Sequence, residues 1–202
     1  MADEPVVVTA AVEGDVDEAL LRRILQHVGL DLGHVHGRKG KPHLLLSLAG
    51  YNNAARFVPW VVLIDLDDDG DCAPVCINRW LPEPSPLMRF RVAVRAVEAW
   101  LLADRERVAT LLGISPRLVP NAPDNLANPK RALVDLARRS RYRKIREELA
   151  PREGSGRAVG PLYTTRITQF VDDTANGWRP GYAVDGSDSL RRCVDRLRSL
   201  VP

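Results

Sequence analysis

The run Pro59-Trp60-Val61-Val62-Leu63-Ile64-Asp65-Leu66-Asp67 constrains this chain more than any other segment. Its aliphatic residues are consecutive and leave no polar side for water, which is the pattern of a strand covered on both faces in a parallel sheet. It ends in carboxylates, so these fall at the rim of the sheet. Parallel neighbours need crossover connections, and the chain supplies the first of them early. Pro5 to Val12 is a second short apolar run, β-branched at its start and closed by Glu13-Gly14. Asp15 then begins a helix, with Glu18 three residues on completing an Asp-x-x-Glu capping box. Val16, Leu20, Ile24 and Val28 follow at i+4 spacing, and Leu21 and Leu25 widen the stripe. Strand, Glu-Gly, helix is the opening unit of an α/β fold.

The remaining segments extend that plan. Leu32 to His36 reads as a short strand, and residues 37–42 as a loop. A helix is expected over 43–57, although Gly50 interrupts it, and another over 72–81 after the Gly70 turn. Arg89 to Arg95 alternates basic and apolar residues, the pattern of a strand with one wet face. Helices follow over 97–104 and on to Leu112. Beyond Pro116 only helices are expected, over 129–150, 162–173 and 188–200. The predicted fold is therefore α/β: a Rossmann-like, mainly parallel sheet between helices over 1–115, with a helical C-terminal part, 116–202, packed on that core. A domain of 202 residues buries roughly 70% of its unfolded surface and needs no disulfide or structural metal to hold it. Cys72, Cys76 and Cys193 are read as thiols, because no second Cys or His pair completes a zinc site around Cys72-x-x-x-Cys76. No apolar run approaches the ~18–20 residues of a membrane helix. The acidic start, Met1 to Pro5, is unlike a signal peptide, so a cytoplasmic chain is expected.

Charge is distributed more tellingly than its total of +3 suggests. Residues 128–157 hold ten Lys/Arg against four Asp/Glu, a local +6 that leaves −3 for the rest. The basic stretch is either a solvated helix face or a surface for a polyanion. Arg91, Arg95, Lys130, Arg131, Arg143, Lys144 and Arg157 are the candidate phosphate contacts. The acidic features are Glu13 after the first strand, Asp65 and Asp67 at the next clear one, and Glu98 just past the third. In an open α/β sheet, ligands bind outside the carboxyl ends of the strands. Carboxylates gathered there repel unless a cation neutralises them, and hard oxygen ligands suit Mg²⁺ or Mn²⁺. Glu13, Asp65 and Asp67 are thus candidate catalytic and metal-binding residues. Glu98 has two readings, as a further metal ligand or as a first-turn residue that favours the helix dipole. Other patterns fall short. Gly37-Arg38-Lys39-Gly40-Lys41 lacks the spacing of a phosphate-binding P-loop. His34 and His36 read as surface histidines, and Tyr51, Tyr163 and the four tryptophans as packing residues. Aromatics at 5% exclude a module that reads single strands with a row of rings.

Val12-Glu13-Gly14 followed by a helix, then Ile64-Asp65-Leu66-Asp67-Asp68-Asp69-Gly70, resembles the Toprim pattern of a Glu-Gly after the first strand and a later Asp-x-Asp-x-x-Gly. That fold is shared by topoisomerases, bacterial primases, recombination proteins and the overcoming-lysogenization-defect nucleases. More narrowly, the chain resembles the Toprim-like family labelled DUF4276. The segments that carry this are Asp65-Leu66-Asp67 with Asp71-Cys72-Ala73-Pro74, the run Arg91 to Asp104, and Arg146 to Pro151 with Gly160-Pro161-Leu162-Tyr163. The resemblance implies that Glu13 is a general acid/base or metal ligand, and that Asp65 and Asp67 bind Mg²⁺. It assigns Asp69 no fixed role. A length of 202 residues leaves no room for strand passage or primer synthesis, so two expectations remain. One is a Mg²⁺-dependent nuclease cutting DNA or RNA; the other is a non-catalytic subunit that docks a protein or nucleic acid. By family analogy, an ABC-type ATPase partner in a phage-defence role is implied, and a homo-oligomer is compatible with it.

Overall fold

In the computed structural model, which describes residues 5–70 and 72–201, four strands form one all-parallel sheet. They are Val6–Val12 (β1), Leu30–Gly37 (β2), Trp60–Asp65 (β3) and Met88–Ala93 (β4), in the order β2-β1-β3-β4. Asp15–His27 (α1), Lys41–Ala54 (α2) and Ala73–Trp80 (α3) make the crossovers. Every residue of β3 is buried, which is why its sequence shows no alternation. The chain moves from β1 outward to β2, then crosses back to place β3 on the other side of β1. The order therefore reverses between β1 and β3, and the crevice beyond their carboxyl ends is the switch point where α/β sheets bind ligands.

The two faces of the sheet are filled differently. Leu44 and Leu48 of α2 and Cys76 of α3 pack with Val62, Ile64 and Phe90 on one side. On the other, Leu20, Leu21 and Ile24 of α1 share a core with Val8, Val12 and Leu63. That core continues without a break into the C-terminal helices. These are Val97–Ala103 (α4), Arg105–Leu112 (α5), Pro129–Arg138 (α6), Arg143–Leu149 (α7), Tyr163–Asp172 (α8), Pro180–Ala183 (α9) and Asp188–Arg198 (α10), with two short 3-10 turns at Pro116–Leu118 and Pro123–Asn125. Leu133, Leu149, Phe170, Trp178 and Leu197 lie in one buried cluster with Val8 and Trp100. Polar ties fix the arrangement. The Trp178 indole N–H donates to the Trp100 carbonyl at 3.1 Å, and the Trp100 indole N–H donates to Ser189 Oγ, also at 3.1 Å. Ser189 Oγ further accepts the Val94 N–H at 3.0 Å, joining α4, α10 and the end of β4. No described helix is long and apolar enough to cross a membrane.

Three local expectations are revised. The N-cap of α1 is Gly14, with no side-chain cap, because Glu18 pairs with Arg22 and Arg38 instead of reaching back. The helix expected over 129–150 is two helices. Ser140 ends the first, its Oγ accepting the Tyr142 N–H at 3.0 Å while its carbonyl accepts from the Arg146 guanidinium. The wet face expected on β4 is covered by α10. Arg89 donates to the Arg196 carbonyl at 3.1 Å and to Ser199 Oγ at 3.2 Å. Arg91 meets the buried Cys193 thiol, which burial pushes up to about 11 against the opposing pull of that guanidinium.

Asp104, at the junction of α4 and α5, is 2% exposed and accepts the Arg179 side chain at 2.9 and 2.7 Å and the Arg179 N–H at 3.0 Å. Removing one partner of a buried pair leaves the other uncompensated, and Arg179 is screened only in part by solvent and Glu106. Asp104→Ala is expected to lower the unfolding free energy by about 3 kcal/mol, read as a lower urea midpoint at unchanged m-value.

Candidate active site

The end of β2 sets the geometry of the cleft. Gly37 has φ +88°, and a Cβ there would stand 2.4 Å from the Val12 carbonyl oxygen, so only glycine lets the strand close so tightly on β1. The loop stays on β1: the Arg38 N–H donates to the Val12 carbonyl at 2.8 Å and the Gly40 N–H to the Glu13 carbonyl at 3.2 Å. This places Lys41, the first residue of α2, beside Glu13.

Across the switch point, Glu13 Oε1 accepts the Asp65 N–H at 2.8 Å. It extends the link between β1 and β3 past their last paired residues, Val12 and Leu63. Asp65 is buried, and its Oδ1 accepts the Val97 N–H at 2.9 Å. Asp65 thereby caps α4, whose own N-cap, Ala96, has no side chain able to do so. The same helix start carries Glu98, 1% exposed, whose Oε1 accepts the Tyr163 hydroxyl at 3.1 Å and faces Lys130 Nζ at 3.4 Å. Asp17, in the first turn of α1, completes the group at 7% exposure.

These carboxylates feel one another. Burial pushes Asp17 up to about 7, with the charges of Glu13 and Glu98 adding to the rise. Burial also holds Asp65 well above the usual carboxylate range, reinforced by Asp17, Glu98 and Glu13 and eased by the Val97 N–H. Glu13 is raised chiefly by burial, with the Asp65 N–H and Lys41 pulling the other way. Burial pulls the Lys130 ammonium down, but Glu98, Asp65 and Asp17 outweigh it and the net shift is upward. Burial, then Glu98, likewise keeps the Tyr163 hydroxyl protonated far above neutrality.

Asp67 lies to one side of this group. Its backbone is left-handed at φ +49°, and its carboxylate turns outward to Lys41 Nζ at 2.6 Å, which also holds Asp69 at 2.6 Å. It still acts on Glu13 through space. Of the sequence-predicted residues, then, Glu13, Asp65 and Glu98 are brought together, with Asp67 at the margin. The basic candidates scatter. Lys130 is drawn into the acidic group, and Arg91 lies under α10. Arg95 donates to the Asp67 carbonyl at 2.9 Å and faces Asp68 at 3.7 Å. Arg131, Arg143 and Lys144 are exposed, each with a carboxylate one turn away: Asp135 at 3.6 Å, Glu147 at 2.8 Å and Glu148 at 3.9 Å. Arg157 is exposed in the loop between α7 and α8.

Two oxygens of the group, Asp17 Oδ1 and Glu98 Oε2, are buried without a hydrogen-bond partner. Unpaired buried acceptors are costly, and a hard divalent cation with oxygen ligands is the group whose chemistry matches them. Among the described residues no three His, Cys, Asp or Glu side chains already stand as a cation cage. No family model, no curated protein and no solved structure matches this chain.

For Asp17, burial and the charges of Glu13 and Glu98 outweigh its own backbone N–H and Lys130, so its ionised form destabilises the metal-free fold. Its folded pKa of about 7 lies above the ordinary 3.8. The folded state therefore binds more protons between those values, and stability falls as pH rises from about 4 to about 7. In chelator at pH 8, Asp17→Asn is expected to raise the melting temperature by about 2–4 °C, and to flatten the decline of stability between pH 4 and 7.

Proposed function

We propose that this chain is a Mg²⁺- or Mn²⁺-dependent phosphodiester hydrolase acting on DNA or RNA, of the Toprim type that its Glu-Gly and Asp-x-Asp motifs resemble. The observation that carries the reading is the hydrogen-bonded Glu13–Asp65 pair at the β1/β3 switch point, continuous with buried Asp17 and Glu98. Glu13, Asp17, Asp65 and Glu98 would hold the ion, with Asp67 at its outer side. A divalent cation there supplies charge neutralisation on the phosphate and lowers the pKa of the attacking water.

The protein's own groups do the rest. Tyr163 fixes one oxygen of Glu98 and leaves the other, buried and unpartnered, for the ion. Lys130 holds a positive charge beside that carboxylate, where it can receive a phosphate oxygen and stabilise the charge that develops in the transition state. Lys41 anchors the Asp67–Asp69 turn against Glu13. Burial of the group excludes bulk water and strengthens each electrostatic contact. The exposed Arg131, Arg143, Lys144 and Arg157 are available to the flanking phosphates. An ABC-type ATPase partner and a phage-defence role follow from the family resemblance; co-purification from the native host is their direct test.

The hydrolase is tested with purified chain, labelled single- and double-stranded DNA and RNA, and Mg²⁺ or Mn²⁺. Asp65→Asn is expected to lower Mn²⁺ affinity by about tenfold or more and to remove cleavage, with retention of nucleic acid on a filter unchanged. Arg143→Ala is expected to weaken that retention and reduce its salt slope by about one unit. Mn²⁺ binding by the wild type with no cleavage of any substrate would select the docking subunit instead.

A further inference from the structure

A second cleft, of about 340 Å³, opens at the far end of α1, between its last turn and α9. It lies about 15 Å along the helix from Asp17, ten residues at about 1.5 Å each, and shares no residue with the carboxylate group. Its volume is at the lower end of the range for small-ligand sites, roughly 300–1,000 Å³. Arg23, His27, Arg179, Gly181 and Tyr182 line it, and a Cβ at Gly181 would stand 3.2 Å from the His27 ring.

One donor there is unmet. The Arg23 Nε, like those of Arg91 and Arg107, is buried without a hydrogen-bond partner, and it alone of the three belongs to a residue that lines this cleft. Asp173 acts on Arg23 only through space, and its Oδ1 accepts the N–H groups of Ala175 and Asn176, both at 2.9 Å. His27 is held below the ordinary imidazole value by burial and then by Arg198 and Arg23, a sign of positive potential in the cleft.

Beside these cations stands a ring with an open face. Tyr182 is 63% exposed, and the Arg179 guanidinium lies over its ring at 3.9 Å. Arg179 is itself fixed by Asp104 and Glu106, so the ring is held on a rigid base. A cationic fork with an unmet donor next to a fixed aromatic surface matches a phosphate attached to a planar ring.

We propose that this cleft binds a nucleotide, with Arg23 and His27 at its phosphate and the Tyr182 ring against its base. The site is separate from the carboxylate group and does not depend on the hydrolase reading. It is tested by calorimetry on the full chain in chelator, which prevents metal from drawing phosphate to the acidic edge. The probes are AMP, inorganic phosphate, adenosine and a phosphorylated oligoadenylate. AMP is expected to bind at least about tenfold more tightly than phosphate, with adenosine weaker still. Arg23→Met is expected to weaken AMP at least about tenfold. Tyr182→Ala, at an exposed position, is expected to bring AMP to the level of phosphate, and Asp65→Asn to leave AMP binding unchanged. An oligoadenylate about tenfold tighter than AMP would assign the site to a strand, and equal or weaker binding to a free nucleotide. No AMP binding at millimolar concentration, equal affinity for AMP and phosphate, or indifference to both Arg23→Met and Tyr182→Ala would overturn the proposal.

Discussion

Confinement of like charges at the rim between β1 and β3 is the constraint on which the rest of this structure turns. Two unit charges 4 Å apart repel by about 4 kcal/mol at an effective dielectric of 20. Glu13, Asp17, Asp65 and Glu98 therefore cannot share this edge without compensation. The fold supplies it from every side: the Asp65 N–H for Glu13, the α4 amino end for Asp65, and a hydroxyl and an ammonium for Glu98. What remains, two orphaned acceptors and raised carboxylate pKa values, is a cost that packing alone gives no reason to keep. Such costs cluster where a protein does chemistry.

The sequence disclosed much of this, for identifiable reasons. The uninterrupted apolar run of β3 announced a strand buried on both faces, and its end announced Asp65 at the rim. Glu13 was legible because it closes the first strand. Asp17 was passed over although its signal was present: it lies on the same helical stripe as Leu20, Leu21 and Ile24, where a carboxylate is out of place unless it has a task. Asp67 is two residues beyond Asp65, and in a continuing strand the two would share one face; β3 ends at Asp65, however, and the left-handed backbone at Asp67 turns its carboxylate out to Lys41.

The basic residues were the least legible, because one-dimensional charge density does not say what a side chain faces. Arg91 and Arg89 alternate with apolar residues as a solvated strand would, yet α10 returns about a hundred residues later to cover them. Nothing local to β4 encodes that return. Lys130 sits in a run of exposed cations and differs from them only through Glu98, 32 positions away. Tyr163 read as packing for the same reason, since its partner lies 65 residues off.

Those two residues determine how the halves of the chain relate. Without α6 and α8, Glu98 would keep its place at the start of α4 but lose both the ammonium and the hydroxyl that satisfy one of its oxygens. An unpaired buried carboxylate is costly, so the helical part supplies the polar partners of the acidic edge in addition to covering the sheet. Arg131 on α6 and Arg143 and Lys144 on α7 face water, in one-turn ion pairs of the kind that salt screens readily. Lys130 differs from them in facing buried Glu98, an acceptor on another element, where theirs are exposed or lie on their own helix.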